Sequence, residues 1–144
     1  MVENQCQELE KNRIAEKLKS AFKPFPVSFA YLGGSVAEGT ANPMSDIDIF
    51  VSIPTYEEYK PIELFSILAD IDNEISKRLK TNKVDLKILE KTSVIIQFQV
   101  FKKGLLLYEK NELERLDYLE NLLNFYYDYK IWYDNFLEQA FTNE

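Results

Sequence analysis

The spacing of apolar and polar residues along the chain predicts alternating helices and strands. Leu64, Ile71 and Ile75 recur at helical spacing after Pro61, which predicts a helix over residues 61–80. Strict alternation over residues 46–53 and again over 84–89 predicts two strands. The same patterns predict helices over 4–22 and 111–141, strands over 27–32 and 105–108, and a loop or one-turn helix over 35–45.

Residues 92–104 allow two interpretations. Thr92 or Ser93 can cap a helix that runs through Phe101 and that Gly104 ends. The Val, Ile and Phe residues of 94–100 also suit a strand. If residues 92–104 form a helix, the order of elements predicts an α/β (α+β) fold. In this fold, helices flank a small mixed β-sheet of about four strands, and a long C-terminal helix ends the chain. We expect a single domain over residues 1–144, with its core at about 27–110 and the C-terminal helix at about 111–141.

The composition excludes several kinds of chemistry. Cys6 is the only cysteine and there is no histidine, so internal disulfides, cysteine-based zinc sites and Ser–His or Cys–His catalysis are excluded. Any catalysis must use carboxylates, Lys, Tyr, Ser or a bound metal. The formal net charge of −7 argues against nucleic acid as a partner, because an acidic surface repels phosphate backbones.

The sequence predicts a cytoplasmic protein that makes no membrane contact. No apolar run approaches the ~20 residues needed to cross a bilayer. The N-terminal residues also lack the apolar segment of a signal peptide.

Two aspartates on one predicted strand are the first candidate for chemistry. Asp46 and Asp48 are two residues apart, so their carboxylates project from the same face, while Ile47 and Ile49 fit a buried core on the other. Like charges at this distance repel, and a bound divalent cation would offset the repulsion. A solvent-facing edge strand explains the pair equally well when it is considered alone.

Residues on either side of this strand add the other parts of a nucleotide site. Gly34 and Ser35 precede Asp46 by ten intervening residues, and a glycine turn with a hydroxyl can bind phosphate oxygens. Asp85 would bring a third carboxylate if its strand neighbours that of Asp46; otherwise it is a solvent-facing residue. Oxygen ligands select Mg²⁺ or Mn²⁺, and a carboxylate cluster suits two-metal chemistry with Asp85 as general base.

The motif Gly34-Ser35-x10-Asp46-x-Asp48, with Asp85 on a later strand, resembles the signature of the DNA polymerase β-type nucleotidyltransferase superfamily. Residues 34–48 and 84–108 are most similar to the minimal nucleotidyltransferase (MNT) antitoxins, which are encoded beside HEPN-domain ribonuclease toxins. The resemblance implies a nucleotidyltransferase fold. It also implies the antitoxin of a type VII-like HEPN/MNT toxin–antitoxin module, which moves AMP from ATP to a tyrosine of the HEPN toxin.

The resemblance also implies a role for each residue of the motif. Gly34 and Ser35 would bind the triphosphate of ATP. Asp46 and Asp48 would ligate Mg²⁺, and Asp85 would join the metal site and activate the acceptor hydroxyl.

One position departs from the pattern of the resembling proteins. Glu38 stands where relatives often carry Arg or another basic residue, and an acid beside a triphosphate disfavours its binding. Lys87, on the face of Asp85, would partly compensate. An alternative is therefore a non-catalytic antitoxin that neutralises its toxin by direct binding. Another is a small-molecule (antibiotic) nucleotidyltransferase, although such enzymes usually carry an additional substrate-binding domain.

The C-terminal helix is rich in aromatic residues. Leu116, Leu119, Leu123 and Tyr126 suffice for one stripe against the sheet. The aromatic residues are Tyr118, Phe125, Tyr126, Tyr127, Tyr129, Trp132, Tyr133 and Phe136. We expect some of them to remain exposed unless an oligomer or a toxin covers them, or unless the helix folds back on its own domain.

Overall fold

The computed structural model describes residues 2–42 and 44–142 and has the predicted mixed α/β architecture. Its helices and strands are, in chain order, α1 (Val2–Leu18), β1 (Phe29–Gly33), α2 (Gly34–Glu38), β2 (Ile47–Ser52), α3 (Pro61–Leu79), β3 (Val84–Ile88), α4 (Val94–Lys103), β4 (Leu105–Glu109) and α5 (Glu112–Thr142). The four-stranded mixed sheet and the long C-terminal helix confirm the predicted fold class.

The four strands form one sheet in the order β3-β2-β1-β4. β1 pairs antiparallel with both β2 and β4, whereas β2 and β3 are parallel. Parallel neighbours need a crossover connection, which α3 provides. In this register Asp48 on β2 lies opposite Gly33 on β1 and opposite Asp85 on β3.

The sheet has a separate apolar layer on each face. On one face Ile49 and Val51 pack in a cluster that includes residues of α1 and α3. On the other, Phe50 joins Phe29 in a smaller cluster that includes Val100 of α4. Because side chains alternate along a strand, Asp48 shares the α4 face with Phe50.

The first helix ends earlier than predicted. α1 ends at Leu18, and Phe22 follows in a series of turns closed by the bond from Ala21 N–H to the Leu18 carbonyl. Phe22 is fully buried although the backbone has already left the helix. Its position therefore continues the helical spacing of apolar residues in the sequence. Leu9 shares the helical spacing of the buried residues Ile14 and Leu18 but is 68% exposed.

α4 is a helix, so the strand alternative for residues 94–100 is wrong. The Ser93 hydroxyl caps it by accepting a hydrogen bond from the N–H of Ile96 at 3.2 Å. At the other end, Gly104 N–H donates to the Val100 carbonyl at 2.8 Å.

The beginning of α5 is anchored to the sheet. Ser28 donates to Glu114 at 2.8 Å, and Arg115 forms an ion pair with Glu109 at 2.6 Å. α5 also packs against α4. Among residues 2–42 and 44–142, no helix is long and apolar enough to cross a membrane.

Candidate active site

Two of the predicted carboxylates meet at the junction of β2 and β3. Asp48 and Asp85 are direct partners in the parallel register, and both side chains are half-buried. Burial raises the pKa of Asp48 above its ordinary value, and Lys87 opposes this rise. Asp85 and Asp46 raise the Asp48 pKa further by charge repulsion, and Asp85 also by a hydrogen bond. The pair therefore concentrates negative charge that burial disfavours.

The turn between β1 and α2 passes directly over Asp48. Gly34 has a φ of 66°, in the left-handed region that favours glycine. A Cβ built on Gly34 would overlap Oδ2 of Asp48. The lack of a side chain at Gly34 thus lets the backbone touch the carboxylate. Ser35, the next residue of α2, is half-buried beside this contact.

Two lysines reach the same region, each beside a carboxylate. Lys87 Nζ lies 3.2 Å from Oδ2 of Asp85 and 5.5 Å from the centre of the Phe50 ring. Lys103, in the last turn of α4, places its Nζ 3.5 Å from Oε1 of Glu38. The acidic residue that departs from the motif is therefore paired with a cation from another helix.

A cleft of about 280 Å³ lies between the Gly34 turn, the sheet and α4. Phe50, Ile95 and Ile96 supply apolar wall, and Lys87 and Lys103 supply positive charge. This combination suits a ligand with an apolar ring and an anionic group, because pockets bind through apolar walls and a few placed polar groups.

The predicted three-carboxylate cluster is only partly assembled. Asp46 is exposed and precedes β2, although it is close enough to raise the pKa of Asp48. In the part of the chain that the structure describes, no three His, Cys, Asp or Glu side chains are grouped so as to hold a metal ion. The contacting pair Asp48 and Asp85 nevertheless fits Mg²⁺ or Mn²⁺ by its chemistry, since a divalent cation prefers carboxylate oxygens and would relieve their repulsion.

The cleft contains residues that the sequence did not identify as functional. Ile95 and Ile96 lie in a segment that the sequence allows as a helix or a strand, Lys103 lies beyond its predicted helical end at Phe101, and Phe50 was assigned only to a strand. Alternation did place Phe50 on the face of Asp48. Nothing in the sequence joins Lys103 to Glu38, because the contact depends on how α4 packs on the sheet.

Comparison with known protein families gives a match over more than half of the chain. The family described as polymerase beta, nucleotidyltransferase matches residues 16–113, which include the Gly34 turn, Asp46, Asp48 and Asp85. No curated protein sequence matches the chain significantly.

Several solved structures of similar fold are chains of toxin–antitoxin complexes. A chain in the crystal structure of a toxin–antitoxin with AMP-PNP is 20% identical, with a TM-score of 0.66 over 88% of this chain and 97% of that chain. A chain in the complex of tri-AMPylated Shewanella oneidensis HEPN toxin with MNT antitoxin is 19% identical, with a TM-score of 0.58 over 93% and 98%. A chain of the complex MntA–HepT is 17% identical, with a TM-score of 0.61 over 88% and 96%. At these identities the likeness establishes a shared fold.

Proposed function

Since this chain belongs to the polymerase beta nucleotidyltransferase family, we propose that it is an Mg²⁺-dependent adenylyltransferase that moves AMP from ATP to a tyrosine of a HEPN-domain toxin. It would thereby act as the antitoxin of that toxin, in the cytoplasm. The observation that carries the proposal is the contact of Asp48 with both Asp85 and the Gly34 turn. This contact puts the predicted cation-binding carboxylates against the predicted phosphate-binding turn.

The choice of acceptor is supported by the likeness to antitoxin folds. Chains of similar fold occur in a toxin–antitoxin complex with AMP-PNP and in a complex that contains a tri-AMPylated HEPN toxin.

Each site residue has a role in this proposal. The Gly34 turn and the Ser35 hydroxyl hold the triphosphate, and Asp46, Asp48 and Asp85 hold Mg²⁺ or Mn²⁺. A divalent cation, when bound, would neutralise negative charge on the phosphates.

The chain's own groups position the reactants and accept the proton. The tyrosine oxygen forms a bond to the α-phosphorus of ATP, and the bond from that phosphorus to the β-phosphate oxygen breaks, which releases pyrophosphate. The hydroxyl proton passes to a carboxylate oxygen of Asp85. Lys87, 3.2 Å from Asp85 Oδ2, orients this carboxylate. Lys103 contributes positive charge at the other side of the cleft.

Transfer of labelled AMP tests the proposal directly. The chain is incubated with the HEPN-domain protein encoded beside it, Mg²⁺ and ATP labelled at the α-phosphate. We expect label on the partner, at a tyrosine identified by mass spectrometry, and none with the Asp48→Asn variant. Full inhibition of the toxin without any label would exclude the enzymatic proposal.

Neutralisation by contact alone is a second candidate, which Glu38 favours. Its carboxylate lines the cleft, where it opposes a bound triphosphate. The variant Asp46→Ala with Asp48→Ala separates the candidates. Neutralisation of the toxin survives this double substitution if contact suffices, and fails if adenylyl transfer is required.

A further inference from the structure

Five aromatic side chains form an exposed stripe along the second half of α5. This α5 stripe consists of Phe125, Tyr129, Trp132, Tyr133 and Phe136, which are spaced three or four residues apart except for the adjacent Trp132 and Tyr133, and so lie on one side of the helix. Between 40% and 61% of each side chain is exposed. The centre of the Trp132 ring lies 6.1 Å from that of Tyr129 and 5.8 Å from that of Phe136, and the Tyr129 ring stacks on that of Tyr133, so these four rings form one continuous surface.

The stripe continues a side of α5 that is covered in the first half of the helix. There, Leu122 is buried, the Tyr118 hydroxyl donates to Gln97 of α4 at 2.5 Å, and Tyr126 stacks on Phe98 of α4. α4 has 10 residues and α5 has 31, so α5 extends beyond the helix that covers it. Residues 127–141 are exposed apart from the half-buried Leu137. A contiguous aromatic surface of this kind marks a protein interaction site.

We infer that the α5 stripe is the docking surface for the acceptor protein, which contacts it through an apolar surface flanked by basic residues. The inference rests on the proposed function for the identity of the acceptor. It concerns where this partner binds, which the catalytic residues do not determine.

Charge favours such a partner over a second copy of this chain. The exposed half of α5 carries Asp128, Asp134 and Glu138 against one basic residue, Lys130. Asp134 and Glu138 lie on the side of α5 away from the stripe, so this charge acts at long range: two copies, each of net charge −7, would repel each other as they approach. A basic partner would instead be attracted.

The available area agrees with a specific interface. The exposed parts of the five stripe residues come to roughly 500 Å², at about 200 Å² for each aromatic side chain. An apolar groove of about 390 Å³ between α4 and α5, lined by Val94, Leu122 and Phe125, extends this surface. The stripe alone thus offers more than half of the roughly 800 Å² that each partner contributes to a specific complex.

The docking surface lies one helix away from the catalytic cleft. Val94, at the start of α4, lines the groove, and the next two residues, Ile95 and Ile96, line the cleft. Ile95 is 52% exposed and Ile96 is 45% exposed. A partner on the α5 stripe can therefore cross the first turn of α4 and present a side chain to the cleft.

Two double variants on opposite sides of α5 test the inference. Trp132→Ala with Phe136→Ala removes the centre of the stripe. Tyr127→Ala with Ile131→Ala removes side chains that are 56% and 61% exposed on the opposite side, and serves as the matched control. The probe is the HEPN-domain protein encoded beside this chain, with its affinity measured by calorimetry and AMP transfer measured against its concentration.

We expect the stripe variant to bind the probe about 100-fold more weakly, since central aromatic residues dominate binding energies. The KM for the probe should rise accordingly, while kcat at saturation and the affinity for AMP-PNP stay within about twofold. The control variant should bind the probe within about fivefold of the wild type. Binding by the wild type should weaken as salt is raised, because the partner is basic.

Unchanged binding of the probe by the stripe variant would overturn the inference, as would equal losses in both variants or affinity that is independent of salt. A wild-type dimer that becomes monomeric in the stripe variant, with probe binding unchanged, would assign the stripe to a second copy. No binding of the probe by the wild type would also overturn the inference. If binding depends on the stripe but no AMP is transferred, the docking surface is supported and the proposed enzymatic function is excluded. If AMP is transferred and the KM of the stripe variant is unchanged, the enzymatic function is supported and the docking surface is excluded.

Discussion

At the scale of single residues, Asp48 combines a structural cost with a proposed catalytic use. It lies against the Gly34 backbone and the Asp85 carboxylate, and burial raises its pKa. A carboxylate that served stability alone would be better replaced by a neutral group of the same shape, because burial of like charges is unfavourable. Activity and stability should therefore respond in opposite directions to a change at this position.

Asp48→Asn should abolish AMP transfer without lowering stability. We expect at least a 1,000-fold loss of transfer, since the variant removes a proposed metal ligand. The urea midpoint at pH 7 in the presence of EDTA should equal or exceed that of the wild type, because the amide carries no charge beside Asp85. A clear drop in the midpoint would mean that the Asp48 charge stabilises the fold, contrary to the arrangement described.

Glu38→Gln should tighten nucleotide binding. The substitution removes a negative charge from the cleft and releases Lys103, which lies 3.5 Å from Glu38. Both side chains are more than a third exposed, so we expect only about a three- to tenfold lower Kd for AMP-PNP at low salt, and less at high salt. Lys103→Ala should raise the Kd by a similar factor.

Glu16→Gln is the matched control for Glu38→Gln. Glu16 is an exposed residue of α1, which packs on the other face of the sheet, and its substitution changes the net charge equally. Equal effects of Glu16→Gln and Glu38→Gln on AMP-PNP affinity would show that only net charge matters and that the Glu38–Lys103 pair has no local role.

At the scale of elements, periodicity predicted the regular parts of the fold closely. The strand expected at 46–53 is Ile47–Ser52, and the helix expected at 61–80 is Pro61–Leu79. In both elements, one apolar side packs against the same core, and this packing accounts for the spacing of their apolar residues along the chain. The end of α1 was predicted four residues late, because Phe22 is buried from a turn and imitates the next helical position.

The site was predictable as a set of residues but not as an arrangement. Gly34, Asp48 and Asp85 follow from residue types and spacing, yet their contact requires β3 to pair in parallel with β2 in one register. The pairing of Lys103 with Glu38 likewise depends on packing between elements distant in sequence. Roles in catalysis stay predictions for all of these residues.

Glu90 links the end of β2 to the turn after β3 and gives the fold a testable pH dependence. Its carboxylate accepts hydrogen bonds from the Ser52 hydroxyl at 2.7 Å and from Ile53 N–H at 3.1 Å. Burial raises the Glu90 pKa above its ordinary value of 4.5, although these hydrogen bonds oppose the rise. The folded state thus binds its proton more tightly than the unfolded state. The resulting stability is fully present below pH 4.5 and is lost as pH rises through the folded pKa.

Glu90→Gln should remove this dependence. The amide keeps a polar group for Ser52 and Ile53 but stays neutral at every pH. The unfolding free energy of the variant relative to the wild type should therefore increase from pH 4 upwards and then level off. Urea unfolding of both proteins at intervals between pH 4 and pH 8 measures this difference. A difference that does not change with pH would contradict the assignment.

At the scale of the whole molecule, an acidic protein is proposed to bind an anionic substrate. The chain has a net charge of −7, and the cleft offers Lys87 and Lys103 with their carboxylate partners nearby. ATP alone would meet Asp48, Asp85 and Glu38 with charge of the same sign. Binding should therefore depend on a divalent cation that neutralises both the carboxylates and the phosphates.

This dependence should be visible in the thermal stability of the whole chain. A ligand that binds only the folded state at 100 times its Kd stabilises by about 2.7 kcal/mol, which corresponds to roughly 5–10 °C in Tm for a protein of this size. We expect AMP-PNP with Mg²⁺ to produce such a shift, and AMP-PNP with EDTA to produce little. The Tm shift that Mg²⁺ alone produces in the wild type is compared with its shift in Asp48→Asn. This comparison separates metal binding at the site from general effects of salt. An equal shift by AMP-PNP in EDTA would mean that the backbone of the Gly34 turn and the two lysines hold the nucleotide without a metal ion.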